Sequence, residues 1–274
     1  MITADLTGEL LSSLDASVKE TAAGNKIAVA FSGGLDSGII AALSKKYTDV
    51  TLYTVGIADA YDVKAAEEMA KIMEIRWNHI EINENYLEKE LPNMIRITGT
   101  VNPITLSFEV PLYFVLKYSD ESTVLSGQGA DELFGGFSKY VGMGEEQFSD
   151  ALKDDMAQLI NITLAHENAV ASHFGKKAVY PYLNEKVVNV VNKIGVNGVS
   201  EGEVRKPLLR DVAKAIGQPE LAEKPKKAAQ YGSGTMVTLR SMAKKKKMTV
   251  REMIADISSS VNGEHFNDGN HNRT

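Results

Sequence analysis

The sequence has 274 residues, of which 43% are hydrophobic, enough for the core of one large domain or two small ones. Its formal net charge of −6 argues against a general nucleic-acid-binding protein, because phosphate backbones are bound by basic surfaces. The chain has no cysteine, which excludes disulfides, thiolate metal sites and a cysteine nucleophile within it.

The amino-terminal 20 residues are acidic and periodic, unlike a signal peptide. No apolar run in the sequence reaches the roughly 20 residues that a membrane-spanning helix needs. These features predict a cytoplasmic protein that does not contact a membrane.

Strand-like and helix-like segments alternate over the first half of the chain. A lead-in helix is predicted over 6–21, where Leu6, Leu10, Leu14 and Val18 share one face. Strands are predicted at 26–31, 50–56, 77–83 and 122–127, with helices at 36–47, 62–75, around 87–95, and at 104–118. This alternation predicts an α/β fold with a doubly wound parallel sheet.

Beyond about residue 145 the pattern becomes mainly helical. We interpret residues 1–274 as one domain with an α/β core over about 1–145. A helical substrate or lid part is then predicted over about 146–254, and a polar, flexible tail from about 255 to 274.

Two glycine-rich loops each follow a predicted strand: SGGLDS at 32–37 and SGQGADELFGGF at 126–137. Ligands of doubly wound sheets bind outside the carboxyl ends of strands, where the winding reverses. We therefore expect the first and fourth strands to be neighbours and both loops to face one crevice. Glycine-loop N–H groups and a helix N-terminus would bind an oxyanion there.

Each loop also carries an aspartate, Asp36 or Asp131, which would repel a phosphate. Two carboxylates beside a polyphosphate are consistent with Mg²⁺ between them, since this cation prefers oxygen ligands. The first loop has no Walker lysine, which disfavours a kinase-type or GTPase-type site. The alternative is a tight turn and a capped helix without a ligand.

The segment SGGLDS (32–37) resembles the pyrophosphate-binding signature of the N-type ATP pyrophosphatases, and LSGQGADELFGGF (125–137) resembles the second signature of the asparagine synthetases. Weaker similarities at 102–115, 166–188 and 224–234 extend the resemblance over roughly residues 8–240. It implies a fold of the adenine nucleotide alpha-hydrolase type. It also implies a ligase that uses ATP and Mg²⁺ and releases AMP and pyrophosphate.

The resemblance also implies roles for individual residues of this sequence. Mg²⁺ would be bound by Asp36 and Asp131, and Lys226 would neutralise charge as the α-phosphate is attacked, with the alignment there open to Lys227. The pyrophosphate portion of ATP would be held by Ser32, Gly33, Gly34, Asp36 and Ser37, and the adenosine by Val55, Gly56, Ser126 and Gly127.

Three departures from the family pattern bear on the substrates. Gln128 stands where well-known members have glutamate, and an amide cannot act as a general base toward ammonia. In the segment 175–184, Lys177, Val179 and Asn184 replace a glutamate, an arginine and an aspartate, which puts aspartate as substrate in doubt. The family's glutaminase domain is not in this sequence, so ammonia is expected either free or from a separate glutaminase subunit.

We favour a ligase that amidates a carboxylate, with aspartate and ammonia as the first candidates. A ligase for another carboxylate is one alternative. A tRNA-modifying ATP pyrophosphatase is disfavoured by the acidic, cysteine-free chain. An inactive nucleotide-binding paralogue stays open because of Gln128 and Val179. Small molecules are the expected partners, without nucleic acid or membrane, and a homo-oligomer stays open.

Overall fold

A five-stranded parallel sheet forms the centre of the computed structural model, which describes residues 2–194, 200–201, 204–224 and 232–268. The strands lie in the order β3-β2-β1-β4-β5. Their bounds are β1 Ile27–Ala30, β2 Val50–Gly56, β3 Arg76–Glu81, β4 Thr123–Leu125 and β5 Lys177–Val179. The chain winds from β1 to β3 and restarts at β4 on the other side of β1, so the predicted doubly wound sheet is confirmed.

Helices cover both faces of this sheet. They are α1 Ile2–Ala22, α2 Leu35–Ser44, α3 Tyr61–Met73, α4 Glu84–Thr98, α5 Pro103–Tyr118, α6 Ala130–Phe134, α7 Glu145–Gln158, α8 Leu164–His173, α9 Glu185–Ile194, α10 Pro207–Ala215, α11 Pro219–Glu223, α12 Thr235–Lys245 and α13 Val250–Asp268. A π-helical turn, Leu159–Thr163, joins α7 to α8. The two-stranded antiparallel pair β6 (Ser200–Glu201) and β7 (Val204–Arg205) leads into α10.

The core consists of two apolar layers, one on each face of the sheet. Successive residues of β1 point into different layers. Ile27 and Val29 pack in the layer that contains α1, α2, α9 and α10. Ala28 packs in the layer that contains α4, α5, α8, α12 and α13. This alternation follows from the two-residue period of a strand. Burial on both faces also explains why β2 is buried along its whole length.

The structure corrects one expectation for the second half of the chain. The α/β core is not confined to residues 1–145, because β5 lies beyond that boundary and pairs with β4 through Leu125 and Val179. Of the polar tail predicted from about 255 to 274, the part up to Asp268 belongs to α13, in which Ile254 and Val261 are buried one heptad apart, and residues 269–274 lie outside the described residues. Among the described helices, none combines the length and the apolar character that crossing a bilayer requires.

Candidate active site

The two glycine-rich loops meet at the carboxyl ends of β1 and β4, as the sequence predicts. The two strands are hydrogen-bonded neighbours, with Val29 opposite Leu125. A Cβ atom placed on Gly127 would lie 3.1 Å from the Ser37 nitrogen and 3.2 Å from the Asp36 Cβ. Because the backbones approach this closely, Ser126 and Gly127 lie directly beside the first loop.

Hydrogen bonds within the first loop fix its conformation, and the loop packs closely against α3. The Ser37 hydroxyl accepts a hydrogen bond from the Ser32 nitrogen at 3.2 Å and lies 3.2 Å from the Ser32 hydroxyl. Gly33 has a φ of +72°, and a Cβ there would lie 2.4 Å from the Ala66 nitrogen of α3. Gly34 caps α2, so the positive end of that helix faces the crevice.

Asp36 and Asp131 converge on the ammonium group of Lys206. Lys206 Nζ lies 2.7 Å from both carboxylate oxygens of Asp36 and 2.5 Å from Oδ1 of Asp131. The Lys206 side chain is only 3% exposed, against 17% and 19% for the two aspartates. A cation therefore lies between the two carboxylates, at the position where the sequence predicts a metal ion, and in this structure the cation is a lysine.

Basic side chains from the second half of the chain form one wall of the cleft above the first loop. The first loop lines the same cleft through Ser32, Gly33, Gly34 and Asp36. The basic wall contains Arg205, Lys206, Arg210 and Lys224. The cleft therefore combines four basic side chains with the first loop and the N-terminus of α2, a combination suited to a polyphosphate.

The structure positions the basic wall by contacts to its backbone. Arg205 Nη1 donates to the Gly136 carbonyl at 3.2 Å, and Arg210 Nε donates to the Arg205 carbonyl at 2.9 Å. Lys224 is ion-paired with Glu68 of α3. These contacts connect β7 to the loop after α6, α10 to β7, and the end of α11 to α3. The cleft is therefore lined by residues far apart in the sequence.

The residues predicted to bind adenosine divide into two groups. None of the four is among the residues that line the cleft; Ser126 and Gly127 adjoin the first loop, whereas Val55 and Gly56 lie at the end of β2. The next residue, Ile57, donates its backbone N–H to the Ser233 carbonyl at 3.0 Å, so the chain after residue 231 packs on the end of β2. The predicted catalytic lysine, Lys226, lies outside the described residues, as does Lys227.

Gln128 belongs to a second cluster of polar side chains, which also contains Glu109 of α5 and His166 and Glu167 of α8. Its Nε2 atom donates to Oε1 of Glu167 on α8 at 3.0 Å. Oε1 of Glu109 on α5 contacts Nδ1 of His166, the residue before Glu167 on α8, at 2.7 Å. Burial raises the pKa of the Glu167 carboxyl to about 8, and burial also raises the pKa of Glu109.

The segment 175–184, which departs from the family pattern, has structural roles in this chain. Val179 lies in β5, where its carbonyl accepts a hydrogen bond from the Ser126 nitrogen at 3.0 Å. Asn184 caps α9, with its Oδ1 accepting from the Lys186 nitrogen at 3.0 Å. Asparagine and aspartate cap helices about equally well, so the change at residue 184 preserves this function. Lys177 is exposed.

Lys206 completes the cluster of Asp36 and Asp131, and Glu167 completes that of Gln128; the sequence indicated neither residue. Lys206 precedes Pro207 in RKPLLR, and its only local signal is a pair of basic residues beside a proline. Its backbone has a φ of +56°, which a sequence pattern does not predict for a lysine. Glu167 lies in HENAVASH among apolar residues of α8, where a lone glutamate is usually exposed.

This fold and site define an α/β protein with a doubly wound sheet and a cleft at its topological switch point. The asparagine synthase family profile matches residues 9–143 and 138–262. The chain belongs to the asparagine synthase family.

Relatives in this family match the chain over part of their own length. A putative glutamine-hydrolysing asparagine synthetase of Methanocaldococcus jannaschii is 30% identical over 260 residues, covering 81% of this chain and 48% of that protein. Asparagine synthetase B of Escherichia coli, also named glutamine-hydrolysing, is 26% identical over 228 residues, covering 75% of this chain and 41% of that protein. The chain thus spans less than half the length of these two relatives.

Among solved structures, an NMN synthetase from Francisella tularensis is similar with a TM-score of 0.45 and 15% identity, over 95% of this chain and 86% of that one.

Proposed function

We propose that this chain is the ATP-using part of a carbon–nitrogen ligase that adenylates a carboxylate and transfers the acyl group to ammonia. The convergence of Asp36 and Asp131 on one cation, beside an N–H-rich loop and a basic wall, carries the proposal. Membership of the asparagine synthase family makes aspartate the first carboxylate to test.

The reaction would proceed in two steps. A carboxylate oxygen attacks the α-phosphorus of ATP, and the bond to the bridging oxygen breaks, which gives an acyl-adenylate and pyrophosphate. The ammonia lone pair then attacks the acyl carbon, and the carbon–oxygen bond to AMP breaks with its electron pair. The extra proton on nitrogen passes to solvent, since the Gln128 amide cannot take it.

The residues of the cleft suit the first step. Negative charge develops on the α-phosphate and on the departing pyrophosphate, and fixed donors placed around it lower the barrier. The Ser32 and Gly34 N–H groups donate to hydroxyls within the loop, so the Gly33 N–H and the N-terminus of α2 would face the pyrophosphate from one side. From the other side Arg205, Arg210 and Lys224 would neutralise its charge. We propose Lys226 as the lysine at the α-phosphate, as the resemblance implies.

The paired carboxylates supply oxygen atoms of the kind that a magnesium ion prefers as ligands. Within the ranges that the structure describes, no group of three or more acidic, histidine or cysteine side chains converges. A magnesium ion held by Asp36 and Asp131 would therefore take its remaining oxygen ligands from phosphates and water. When bound, the ion would neutralise phosphate charge, and the Lys206 ammonium would be available to the phosphates.

Carboxylate-dependent exchange of labelled pyrophosphate into ATP tests the adenylation step without ammonia. Aspartate, glutamate and other carboxylates are screened first with the wild-type chain and Mg²⁺, and amide formation is then followed with ¹⁵N-ammonium. Asp131→Asn should lower the exchange rate about a hundredfold, the usual effect of removing one electrostatic partner of a transition state. Asp150→Asn, an exposed aspartate outside the cleft, is the control. No exchange with any carboxylate would refute the proposed function.

A further inference from the structure

Helix α2, which follows the first loop, contains a buried glycine in its first turn. Gly38 is the fourth residue of this helix. Glycine is, after proline, the least favourable residue inside a helix, because it loses the most backbone freedom on folding. The backbone of Gly38 is helical rather than left-handed, so its conformation does not require a glycine. The reason for this glycine is a close contact with another element.

Leu221 of α11 occupies the space beside Gly38. A Cβ atom on Gly38 would lie 2.4 Å from Cδ2 and 2.7 Å from Cδ1 of Leu221. Leu221 is 0% exposed, and protein interiors are packed too densely to take up a displaced methyl group without a shift. A side chain at residue 38 would therefore move Leu221, and with it α11, away from α2.

The contact fixes a segment that carries part of the basic wall. The Leu221 carbonyl accepts a hydrogen bond from the Lys224 nitrogen at 3.4 Å, and the carbonyl of Ala222 accepts one from Nη1 of Arg210. Both Lys224 and Arg210 line the cleft. The position of α11 on α2 therefore determines where these two cations stand.

The other partner in the contact belongs to the element that carries the first loop. The Gly38 nitrogen donates to the Gly34 carbonyl at 3.0 Å, and Gly38 follows Asp36 by two residues. The contact between Gly38 and Leu221 thus joins the helix that begins at the first loop to the helix that ends at Lys224. Its length sets the distance between the first loop and this part of the basic wall.

We propose that Gly38 is a positioning residue that keeps the basic wall close to the first loop, so that Lys224 and Arg210 reach a polyphosphate bound at that loop. The inference rests on the proposed use of ATP and assigns a determinant of affinity to a residue that does not itself line the cleft. Charge-assisted hydrogen bonds are short, so a small outward shift of the wall removes them.

The binding test is isothermal titration calorimetry of magnesium pyrophosphate with the wild-type chain, Gly38→Ala and Gly8→Ala. Gly8 is the matched control, because it also lies inside a helix, α1, and an added Cβ there meets no atom within 4 Å. Gly38→Ala should raise the Kd about tenfold, the effect of about one charge-assisted hydrogen bond. Gly8→Ala should change the Kd by less than about twofold. An equal Kd for Gly38→Ala and the wild-type chain would overturn the inference.

A compensating variant separates positioning from damage to the first loop. Gly38→Ala/Leu221→Val adds one carbon atom at residue 38 and removes one at residue 221, which conserves the volume of the contact. This double variant should recover most of the affinity that Gly38→Ala loses. If it binds no better than Gly38→Ala, the alanine acts on the first loop itself and the positioning role is wrong.

A double-mutant cycle tests whether the effect passes through the basic wall. Lys224→Ala should raise the Kd of the wild-type chain about tenfold, because it removes one charged partner of the ligand. In the Gly38→Ala background the same change should raise the Kd by less than about threefold, because the ammonium is already out of reach. Full additivity of the two changes would overturn the inference.

Leu221→Ala repeats the cycle without overpacking, in case Gly38→Ala does not fold. It removes the side chain that contacts Gly38, so the effect of Lys224→Ala should again fall from about tenfold to less than about threefold. Leu239→Ala, also 0% exposed but in the other apolar layer, is the control and should keep the wild-type effect. A wild-type chain that binds no magnesium pyrophosphate refutes the proposed function. Binding with full additivity refutes only the role of Gly38, so the two failures are distinguishable.

Discussion

At the residue scale, Lys206 is the side chain that holds the two carboxylates of the cleft together. Its ammonium separates two carboxylates that would otherwise repel each other, and breaking a buried charge pair usually costs about 3 kcal/mol or more. Lys206→Met should therefore lower the free energy of unfolding by about 3 kcal/mol without magnesium. Because Mg²⁺ can take the place of the ammonium, it should raise the free energy of unfolding of this variant by at least about 1 kcal/mol. Urea titrations with and without MgCl₂ measure this difference.

The control for this prediction is an exposed ion pair. Lys186 contacts Glu20 at 2.7 Å, and both side chains are more than half exposed, so Lys186→Met should change the unfolding free energy by less than about 1 kcal/mol. A Lys206→Met protein that is as stable as the wild type, or that Mg²⁺ does not stabilise more than it stabilises the wild type, would contradict the prediction.

At the scale of elements, the first loop depends on its contact with α3. Gly33→Ala combines a left-handed backbone with a Cβ that would lie 2.4 Å from a backbone atom of α3. Gly99 has the nearly identical φ of +71° but no atom within 4 Å of an added Cβ. Gly99→Ala should therefore cost about 1 kcal/mol, the backbone cost alone, and Gly33→Ala clearly more. Thermal unfolding of the two variants makes the comparison, and equal losses would show that loop and helix can separate freely.

The packing of α8 beneath the second loop gives stability a dependence on pH. The raised pKa of Glu167 means that the unfolded chain ionises this carboxyl near its ordinary pKa of 4.5 and the folded chain only near 8. Between these values the folded state holds the extra proton, so the contribution of Glu167 to stability falls as pH rises, with a limiting slope of about 1.4 kcal/mol per pH unit. Glu167→Gln lacks this slope.

The difference in unfolding free energy between wild type and Glu167→Gln should therefore change steadily from pH 5.5 to 8 and level off above the upper value. Urea titrations at each pH measure it, and Lys186→Met, which alters an exposed pair, should run parallel to the wild type. A difference that stays constant with pH would show that Glu167 has an ordinary pKa.

At the scale of the whole molecule, the fold was predictable where signals are local. The strands β1, β2 and β4 are mainly apolar segments before a turn, so their alternation with helices was predictable. The glycine loops indicated which end of β1 and β4 would bind a ligand. The three residues of β5 are too few for a periodic signal, and β5 becomes a strand because β4 offers it an unpaired edge.

The site was predictable only in the loops that follow those strands. Lys206 is 170 residues from Asp36, and the contact exists because α10 packs on α1 and α2. The same holds for Glu167, which lies 39 residues from Gln128 and meets it because α8 packs beside β5. Such juxtapositions are properties of tertiary packing, and no spacing in a single sequence reports them.

This assembly of distant segments leads to a prediction for the whole chain. Asp36, Asp131 and Lys206 come from three separate parts of the sequence, so a ligand that binds them all should stabilise the cooperative unit. Magnesium with pyrophosphate should raise the unfolding free energy by about 2.7 kcal/mol at a hundred times its Kd, a rise in Tm of roughly 5 °C or more. Scanning calorimetry against sodium chloride at equal ionic strength measures this. Asp131→Asn should lose most of the shift and Asp150→Asn should keep it, whereas equal shifts in both variants would place the pyrophosphate outside this crevice.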